Sequence, residues 1–254
     1  ADAQMHVAKL IDQLSEVDAH GKQKWQYQLK DDELQHSTNF GLSHGVPSIL
    51  VFLLKAYQAD INTQKAKALI DTITAYLVLH RQDPDVHQCY YAYSVDQSPI
   101  AEEKNTTRLA WCYGDLGVCC ALWQVAQQFD NATLKAHVIE IMTHAATRRD
   151  LTENSVYDAG LCHGASGIAH IFNRFYQATN NPTFKEAALY WFEQTLQMDT
   201  FADGLAGYKA CVNISDAEYE NCTGLLEGIA GTGLALIAAV ADFEPNWDEC
   251  LLIS

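Results

Sequence analysis

Residues 41–58 read GLSHGVPSILVFLLKAYQ and join a glycine-rich turn directly to an apolar segment. The segment predicts a helix over Val46–Gln58, with apolar side chains on nearly every side. A helix that is apolar all round is buried all round in a globular protein. This stretch therefore predicts an inner helix of an all-α fold, with the glycine-rich turn at its N-terminal end.

The same arrangement recurs three more times along the chain. Each further glycine-rich segment precedes an apolar helix, and the segments are 111–117, 160–167 and 224–231. The helices that follow are predicted over roughly Leu116–Gln128, Ala165–Gln177 and Ile229–Ala241. Four buried helices, each introduced by a glycine-rich turn, indicate a repeated supersecondary unit.

Amphipathic helices separate the apolar ones. Apolar residues recur with a helical period over Thr63–Leu79, and a second such helix begins at Asn181-Pro182, a favourable cap followed by a favourable first residue. Alternating buried and amphipathic helices predict a ring of helical hairpins. The irregular spacing of the turns favours an α/α toroid over a regular solenoid, with the turns gathered at one end. Segments 81–107 and 199–223 are predicted as long loops, and alternating strand patterns are absent.

Composition narrows the class of protein. The 254 residues, 48% of them hydrophobic, are enough for a single large domain over 1–254. A net charge of -16 makes nucleic acid an unfavourable partner. No apolar run reaches the roughly 18 residues of a membrane span, and the first residues do not resemble a secretory signal. With eight cysteines but no dense disulfide framework, the chain is expected in a reducing cytoplasm.

Two motifs about fifty residues apart carry metal-binding side chains. Trp111-Cys112-Tyr113-Gly114 and Gly160-Leu161-Cys162-His163-Gly164 together offer two thiols and an imidazole. Such a set suits zinc and leaves a fourth position open, as catalytic zinc sites do. On spacing alone, buried cysteines at helix contacts explain the motifs equally well. The other cysteines are predicted to be core residues or bystanders: Cys89, Cys119, Cys120, Cys211, Cys222 and Cys250.

At these residues the chain resembles the lanthionine synthetase C family, the LanC cyclases. The resemblance rests on four ordered motifs and on the last segment, 247–254. The motifs are GLSHG at 41–45, RLAWCYG at 108–114, GLCHG at 160–164 and GLLEGIAG at 224–231. Any one motif alone is weak, whereas four in order are specific.

The resemblance implies an α/α barrel of seven helical hairpins that binds one zinc ion through Cys112, Cys162 and His163. It also implies functional roles for His44, Arg108 and Tyr113. The implied reaction is the addition of a peptide cysteine thiol to dehydroalanine or dehydrobutyrine, which closes a thioether (lanthionine) ring. The implied partners are a dehydrated precursor peptide and a membrane-associated complex with a dehydratase and an exporter.

Two features depart from the family pattern. Leu116 occupies a position where the family often has proline. Only 43 residues precede His44, which is too few for the remaining hairpins of a complete ring and leaves no counterpart for the family's upstream catalytic aspartate. The chain is therefore expected to be the C-terminal portion of a longer cyclase, folded as a partial ring.

The residue chemistry agrees with the implied reaction. Zinc binds a thiol as the thiolate, and the thiolate is the nucleophile. Addition to a dehydroamino acid creates an enolate, which the guanidinium of Arg108 can hold. His44 is the candidate general acid or base, and Tyr113 can donate a hydrogen bond. The alternatives are a structural role for His44, a surface ion pair for Arg108 and a packing role for Tyr113. Asp115 and Glu227, which lie next to the glycine-rich turns, are interpreted as helix caps.

Three other functions remain open at this point. A LanC-like relative could add glutathione to dehydrated proteins, and a LanC-like scaffold could bind zinc without catalysis. A third possibility is another zinc toroid, such as a prenyltransferase subunit, which would share the fold but not the four motifs.

Overall fold

The computed structural model describes residues 2–18, 21–26, 28–30, 33–35, 37–95 and 106–254. Residues 96–105 of the predicted loop 81–107 lie outside this range. The long helices and their bounds are α1 Asp2–Leu14, α2 Val46–Gln58, α3 Thr63–Leu79, α5 Gly114–Gln128, α6 Ala132–Ala145, α7 Ala165–Thr179, α8 Pro182–Gln197 and α9 Ile229–Val240. A short helix, α4, spans Pro84–His87, and single 3-10 turns span Lys24–Gln26 and Trp247–Leu251.

The helices pack as hairpins in two rows. Within each hairpin α2 packs on α3, α5 on α6 and α7 on α8. The apolar helices α2, α5, α7 and α9 contact one another in that order and form the inner row, while α6 and α8 meet in the outer row. This confirms the prediction of an all-α fold of the α/α-toroid type, formed here as an arc of consecutive hairpins.

The inner helices supply most of the buried side chains, because each of α2, α5 and α7 is buried on more than one face. In α5, eleven of fifteen residues are buried, against five of seventeen in the amphipathic α3. Leu50, Leu53 and Leu54 of α2 and Phe172 of α7 are among the largest fully buried side chains. Burial of this kind is the main source of stability for the arc.

The last inner helix differs from the prediction. The apolar sequence of α9 predicts a buried helix, yet Ile237 is 54% exposed and Val240 is 86% exposed. The position of α9 explains this exposure. One face of α9 packs against α7, and in the described part of the chain no outer helix packs against the opposite face. The buried face of α9 consists of small residues, Gly231, Thr232, Ala235 and Ala238.

Three small antiparallel sheets lie in the connections, although the sequence pattern indicated no strands. They pair β1 Gln28–Lys30 with β2 Glu33–Gln35, β3 Thr38–Asn39 with β4 Ser94–Val95, and β5 Ala210–Asn213 with β6 Glu218–Glu220. Each strand has two to four residues, which is too short for an alternating pattern to be recognised. The hairpin of β5 and β6 falls within the loop predicted at 199–223.

None of the helices in the described residues has the length and hydropathy that crossing a bilayer requires.

Candidate functional site

The four glycine-rich turns lie side by side at the N-terminal ends of the inner helices. Backbone hydrogen bonds join each turn to the next: Ser43 N donates to Cys112 O at 3.5 Å, Trp111 N to Cys162 O at 3.0 Å, and Cys162 N to Leu226 O at 2.8 Å. Segments that are far apart in sequence therefore meet in one continuous row, as the toroid interpretation predicted.

Glycine is required in these turns because the chain folds back on itself. Gly114 has a φ of +76°, and a Cβ there would lie 2.9 Å from Arg108 O. A Cβ on Gly164 would lie 2.6 Å from Asp158 O, closer than a real Cβ comes to a backbone atom. In both motifs the backbone six residues before the glycine, at Arg108 and at Asp158, lies against the turn. This close approach fixes the position at which the helix begins.

Replacing Gly164 with alanine is expected to lower the free energy of unfolding by about 1–3 kcal/mol, because the backbone around His163 must shift to admit the methyl group. Gly233→Ala in α9 is the matched control, since a Cβ there meets nothing within 4 Å and alanine favours the helix by up to about 1 kcal/mol. Urea unfolding followed by circular dichroism measures both. Equal effects of the two substitutions would contradict this account of the turn.

The thiols of Cys112 and Cys162 are in contact. Cys112 is buried in the second turn and Cys162 is half-buried in the third. A hydrogen bond with Cys162 lowers the pKa of the Cys112 thiol, and the nearby charge of Arg108 lowers it further against the effect of burial. The same hydrogen bond and burial raise the pKa of Cys162. The pair therefore makes Cys112 the more acidic of the two thiols.

His163 and Arg108 line a pocket beside this pair. The pocket has a volume of about 670 Å³ and is bounded on the other sides by Glu227 and by the start of the β5–β6 hairpin. Nε2 of His163 lies 3.8 Å from Oε1 of Glu227. The guanidinium of Arg108 makes no hydrogen bond or ion pair with another residue in the described part of the chain. A free guanidinium in a pocket is available for a substrate oxygen.

The three predicted zinc ligands are only partly assembled. Within the described ranges, no three His, Cys, Asp or Glu side chains are grouped closely enough to hold a metal ion. The structure brings Cys112 and Cys162 together, while His163, the neighbour of Cys162, is turned towards Glu227. The donor types, two thiols and one imidazole, fit zinc.

Tyr113 and His44 occupy different surroundings. The hydroxyl of Tyr113 accepts a hydrogen bond from Asn39 Nδ2 at 3.2 Å, and its ring packs edge-on against Tyr93 at 5.2 Å. These contacts fit a structural role for Tyr113 as well as they fit a catalytic role. His44 is exposed on the first turn, next to Ser43, whose amide reaches Cys112, and it does not line the pocket with Arg108.

Two residues that organise the turns were missed in the sequence. Oδ1 of Asn39 accepts a hydrogen bond from Gly41 N at 2.7 Å, and Oδ1 of Asp158 accepts one from Gly160 N at 2.9 Å. Oδ2 of Asp158 also accepts from Cys211 N at 2.9 Å, which ties β5 to the third turn. The available signal was a repeated spacing, an Asn or Asp two residues before the first glycine of a turn.

Asp115 is not the helix cap that the sequence suggested. Its Oδ1 accepts hydrogen bonds from the amides of Tyr90 and Tyr91, at 2.9 and 3.0 Å, and its Oδ2 lies 3.8 Å from Arg148 Nη1. Complete burial raises the pKa of Asp115 to about 6, against the lowering effect of Arg148 and the two amides. Glu227 is exposed beside His163 and likewise makes no capping contact.

The C-terminal segment closes the inner face behind the second turn. Trp111 Nε1 donates to Leu251 O at 2.6 Å, and Gln124 Nε2 of α5 donates to Leu252 O at 2.9 Å. Asp248 is fully buried against His170 and Arg174 of α7. Trp111 directly precedes Cys112, so the segment supports the backbone that carries this candidate ligand.

Comparison with known proteins finds a matching family model and a solved structure with a similar fold. A family model described as lanthionine synthetase C-like protein matches residues 2–252. Among solved structures, a nisin cyclase superposes with a TM-score of 0.77 at 18% sequence identity, covering 99% of this chain. The chain spans 61% of the length of that nisin cyclase. No curated protein sequence matches the chain.

Proposed function

Because the chain belongs to the lanthionine synthetase C-like family, we propose that it carries the catalytic centre of a lanthipeptide cyclase. The reaction is the addition of a peptide cysteine thiol to dehydroalanine or dehydrobutyrine, which forms a thioether ring. One observation carries the proposal. The row of turns joins the Cys112 and Cys162 motifs through the hydrogen bond from Trp111 N to Cys162 O at 3.0 Å, and Arg108 and His163 line the pocket beside them.

We further propose that Cys112, Cys162 and His163 hold one zinc ion. Two thiols and an imidazole form a donor set of the kind found at zinc sites with an open position. Bound zinc would supply a positive charge that lowers the pKa of a coordinated substrate thiol and keeps it as the thiolate. The influence of the two protein thiols on each other's pKa supports this arrangement, because it requires that the two sulfur atoms lie near each other.

Arg108 has the clearest role among the remaining residues. As the sulfur–carbon bond forms at the β-carbon, the electron pair of the double bond moves towards the adjacent carbonyl, and an enolate oxygen becomes negative. The guanidinium of Arg108 lies in the pocket without a protein partner and can donate hydrogen bonds to that oxygen. A proton must then reach the α-carbon to complete the addition.

Two histidines are candidates to deliver this proton. His163 lies in the pocket with Arg108, but it is also a proposed zinc ligand. His44 is exposed on the neighbouring turn and is free of hydrogen bonds to the other described residues. We propose His44 for this step, with substrate approaching across the first and second turns, while Tyr113 supports the first turn through Asn39.

The proposed partner is a dehydrated precursor peptide, and the proposed setting is the cytoplasm beside a membrane-bound dehydratase and exporter. The net charge of -16 supports a peptide partner over nucleic acid.

Ring formation tests the proposal directly. The chain, supplied with zinc and a peptide containing one dehydroalanine and one cysteine, is expected to make the thiol resistant to alkylation, as measured by mass spectrometry. Arg108→Ala is expected to lower the rate by about 10²–10³-fold, because one charged donor to the developing oxyanion is lost. Arg149→Ala, an exposed arginine that packs on Tyr190, is the matched control and is expected to keep the wild-type rate.

The outcomes separate the proposal from its alternatives. Consumption of glutathione without ring closure would identify the chain as a glutathione-adding relative. Zinc binding without either reaction would indicate a scaffold. Equal loss in the Arg108 and Arg149 variants would contradict the role given to Arg108.

A further inference from the structure

A β-hairpin forms one wall of the pocket that contains Arg108 and His163. On that side the lining is the end of β5 and the turn that follows it, residues 211–215. Asp158 ties this wall to the third turn, because one of its oxygens bonds the turn and the other accepts from Cys211 N. The wall is therefore held by the same framework that positions the proposed zinc ligands.

The wall exposes apolar side chains at the mouth of a polar pocket. Val212 and Ile214 are each 50% exposed, and both line the pocket. The pairing of β5 with β6 shifts between Cys211 and Asn213, so Val212 is the extra residue of a bulge. Bulges redirect side chains and are frequent beside active sites. The exposed halves of Val212 and Ile214 can be buried by a molecule bound in the pocket.

The turn of the hairpin is internally ordered. Oδ1 of Asn213 accepts hydrogen bonds from the amides of Ser215 and Asp216, and its Nδ2 donates to the Asp216 carboxylate at 2.6 Å. Tyr219 on β6 donates to Tyr157 O at 3.2 Å, which anchors the second strand to the body of the protein. A wall that is already ordered loses little conformational entropy when a partner binds.

The charge of the hairpin indicates which partner it suits. Asp216, Glu218 and Glu220 are exposed on it, and residues 210–220 contain no lysine or arginine. Glu227 adds a further exposed carboxylate across the pocket. A surface of this kind complements a positively charged segment.

We propose that this hairpin wall, Val212–Ser215 with the adjoining acidic residues, binds the substrate peptide on the side of its reacting cysteine. The segment it prefers carries apolar residues next to the cysteine and lysines beyond them. This inference rests on the proposed function and deepens it by naming the part of the substrate that is recognised. The occupant is the substrate chain because the wall faces the same pocket as Arg108 and His163.

A double variant, Val212→Thr with Ile214→Thr, tests the proposal. The probe is a fluorescein-labelled peptide with one dehydroalanine and one cysteine, flanked by leucine and lysine. Its Kd, measured by fluorescence polarisation, is expected to rise about tenfold, because two apolar contacts are weakened while both side chains stay β-branched. Ile237→Thr with Val240→Thr on α9, both exposed and away from the pocket, is the matched control.

A second peptide, with glutamate in place of lysine, tests the charge. It is expected to bind more weakly than the lysine peptide, and the difference is expected to shrink as salt is raised. If the wild type closes the ring but the double variant binds as well as it does, the hairpin proposal is overturned and the cyclase proposal stands. If binding depends on the hairpin but the wild type forms no ring, the cyclase proposal is overturned and the hairpin proposal stands. A wild type that binds neither peptide overturns both.

Discussion

Replacement of Cys112 or Cys162 by serine is expected to remove zinc from the chain and to abolish ring formation. The two thiols are in contact, and each serine variant leaves one thiol and one imidazole, which is too few for a stable site with an open position. Loss of a residue that merely supports a ligand costs about 10–100-fold in metal affinity, so loss of a ligand is expected to cost more than about 100-fold. Metal content by mass spectrometry and competition with a chromophoric chelator measure the change.

Cys250→Ser is the control for this prediction. Cys250 is exposed in the C-terminal segment, and its thiol donates a hydrogen bond to Trp247 O within the same segment. The Cys250→Ser variant is therefore expected to bind near one zinc per chain. Zinc binding is also expected to release protons, because the ligands bind as thiolates. A folded wild type that takes up no zinc at micromolar concentration would contradict the site. Zinc retained in both single variants would show that other residues hold the metal.

The helices were predictable because their patterns are long and strong. The bounds of α2 and α3 agree with the sequence prediction, and Asn181 caps α8 by accepting a hydrogen bond from Thr183 N at 3.0 Å. Apolar residues on all sides of α2 can only be accommodated in the interior. The same argument was wrong for α9, because burial of its outer face depends on whether another helix covers it, and the helix's own residues carry no information about that.

The candidate site was predictable in its parts more than in its assembly. Glycine-rich turns before buried helices placed Cys112 and Cys162 at one end of the fold, and the structure brings these thiols together. The direction of the His163 side chain depends on a neighbour 64 positions later, Glu227, and local sequence does not specify it. The zinc ligands and the roles of His44, Arg108 and Tyr113 remain predictions.

Long-range polar contacts were the hardest to predict. His170 belongs to none of the four motifs, and it is fully buried against Asp248, which lies 78 positions later. Asn39 and Asp158 act through hydrogen bonds that a spacing rule could have indicated only after the turns were known. Pairing across the fold depends on tertiary packing, which periodicity does not encode.

Removal of the Asp248 carboxylate is expected to destabilise the chain by about 3–5 kcal/mol, because it leaves the fully buried His170 without this partner and removes one of the two carboxylates that pair with Arg174. Oδ2 of Asp248 lies 2.8 Å from His170 Nε2 and 3.1 Å from Arg174 Nε, and Oδ1 accepts from Ser254 Oγ at 2.7 Å. The C-terminal segment held by these contacts also accepts the hydrogen bond from Trp111, next to Cys112. Asp248→Ala is therefore expected to weaken zinc binding as well as folding.

Glu244→Ala is the matched control, since Glu244 binds the same arginine from a 74% exposed position and its loss is expected to cost at most about 1 kcal/mol. If the alanine variant fails to fold, Asp248→Asn replaces it in the test, because asparagine keeps the shape of the side chain.

Burial alone would raise the pKa of Asp248, but the hydrogen bonds from His170 and Ser254 and the charges of His170 and Arg174 lower it. A lowered pKa contributes stability above about pH 4 that is lost as the pH falls further, so the difference between wild type and Asp248→Asn is expected to shrink in acid. Urea unfolding at pH 7 and below pH 4 measures this, and a difference that grows in acid would contradict the ion-pair account of the C-terminal segment.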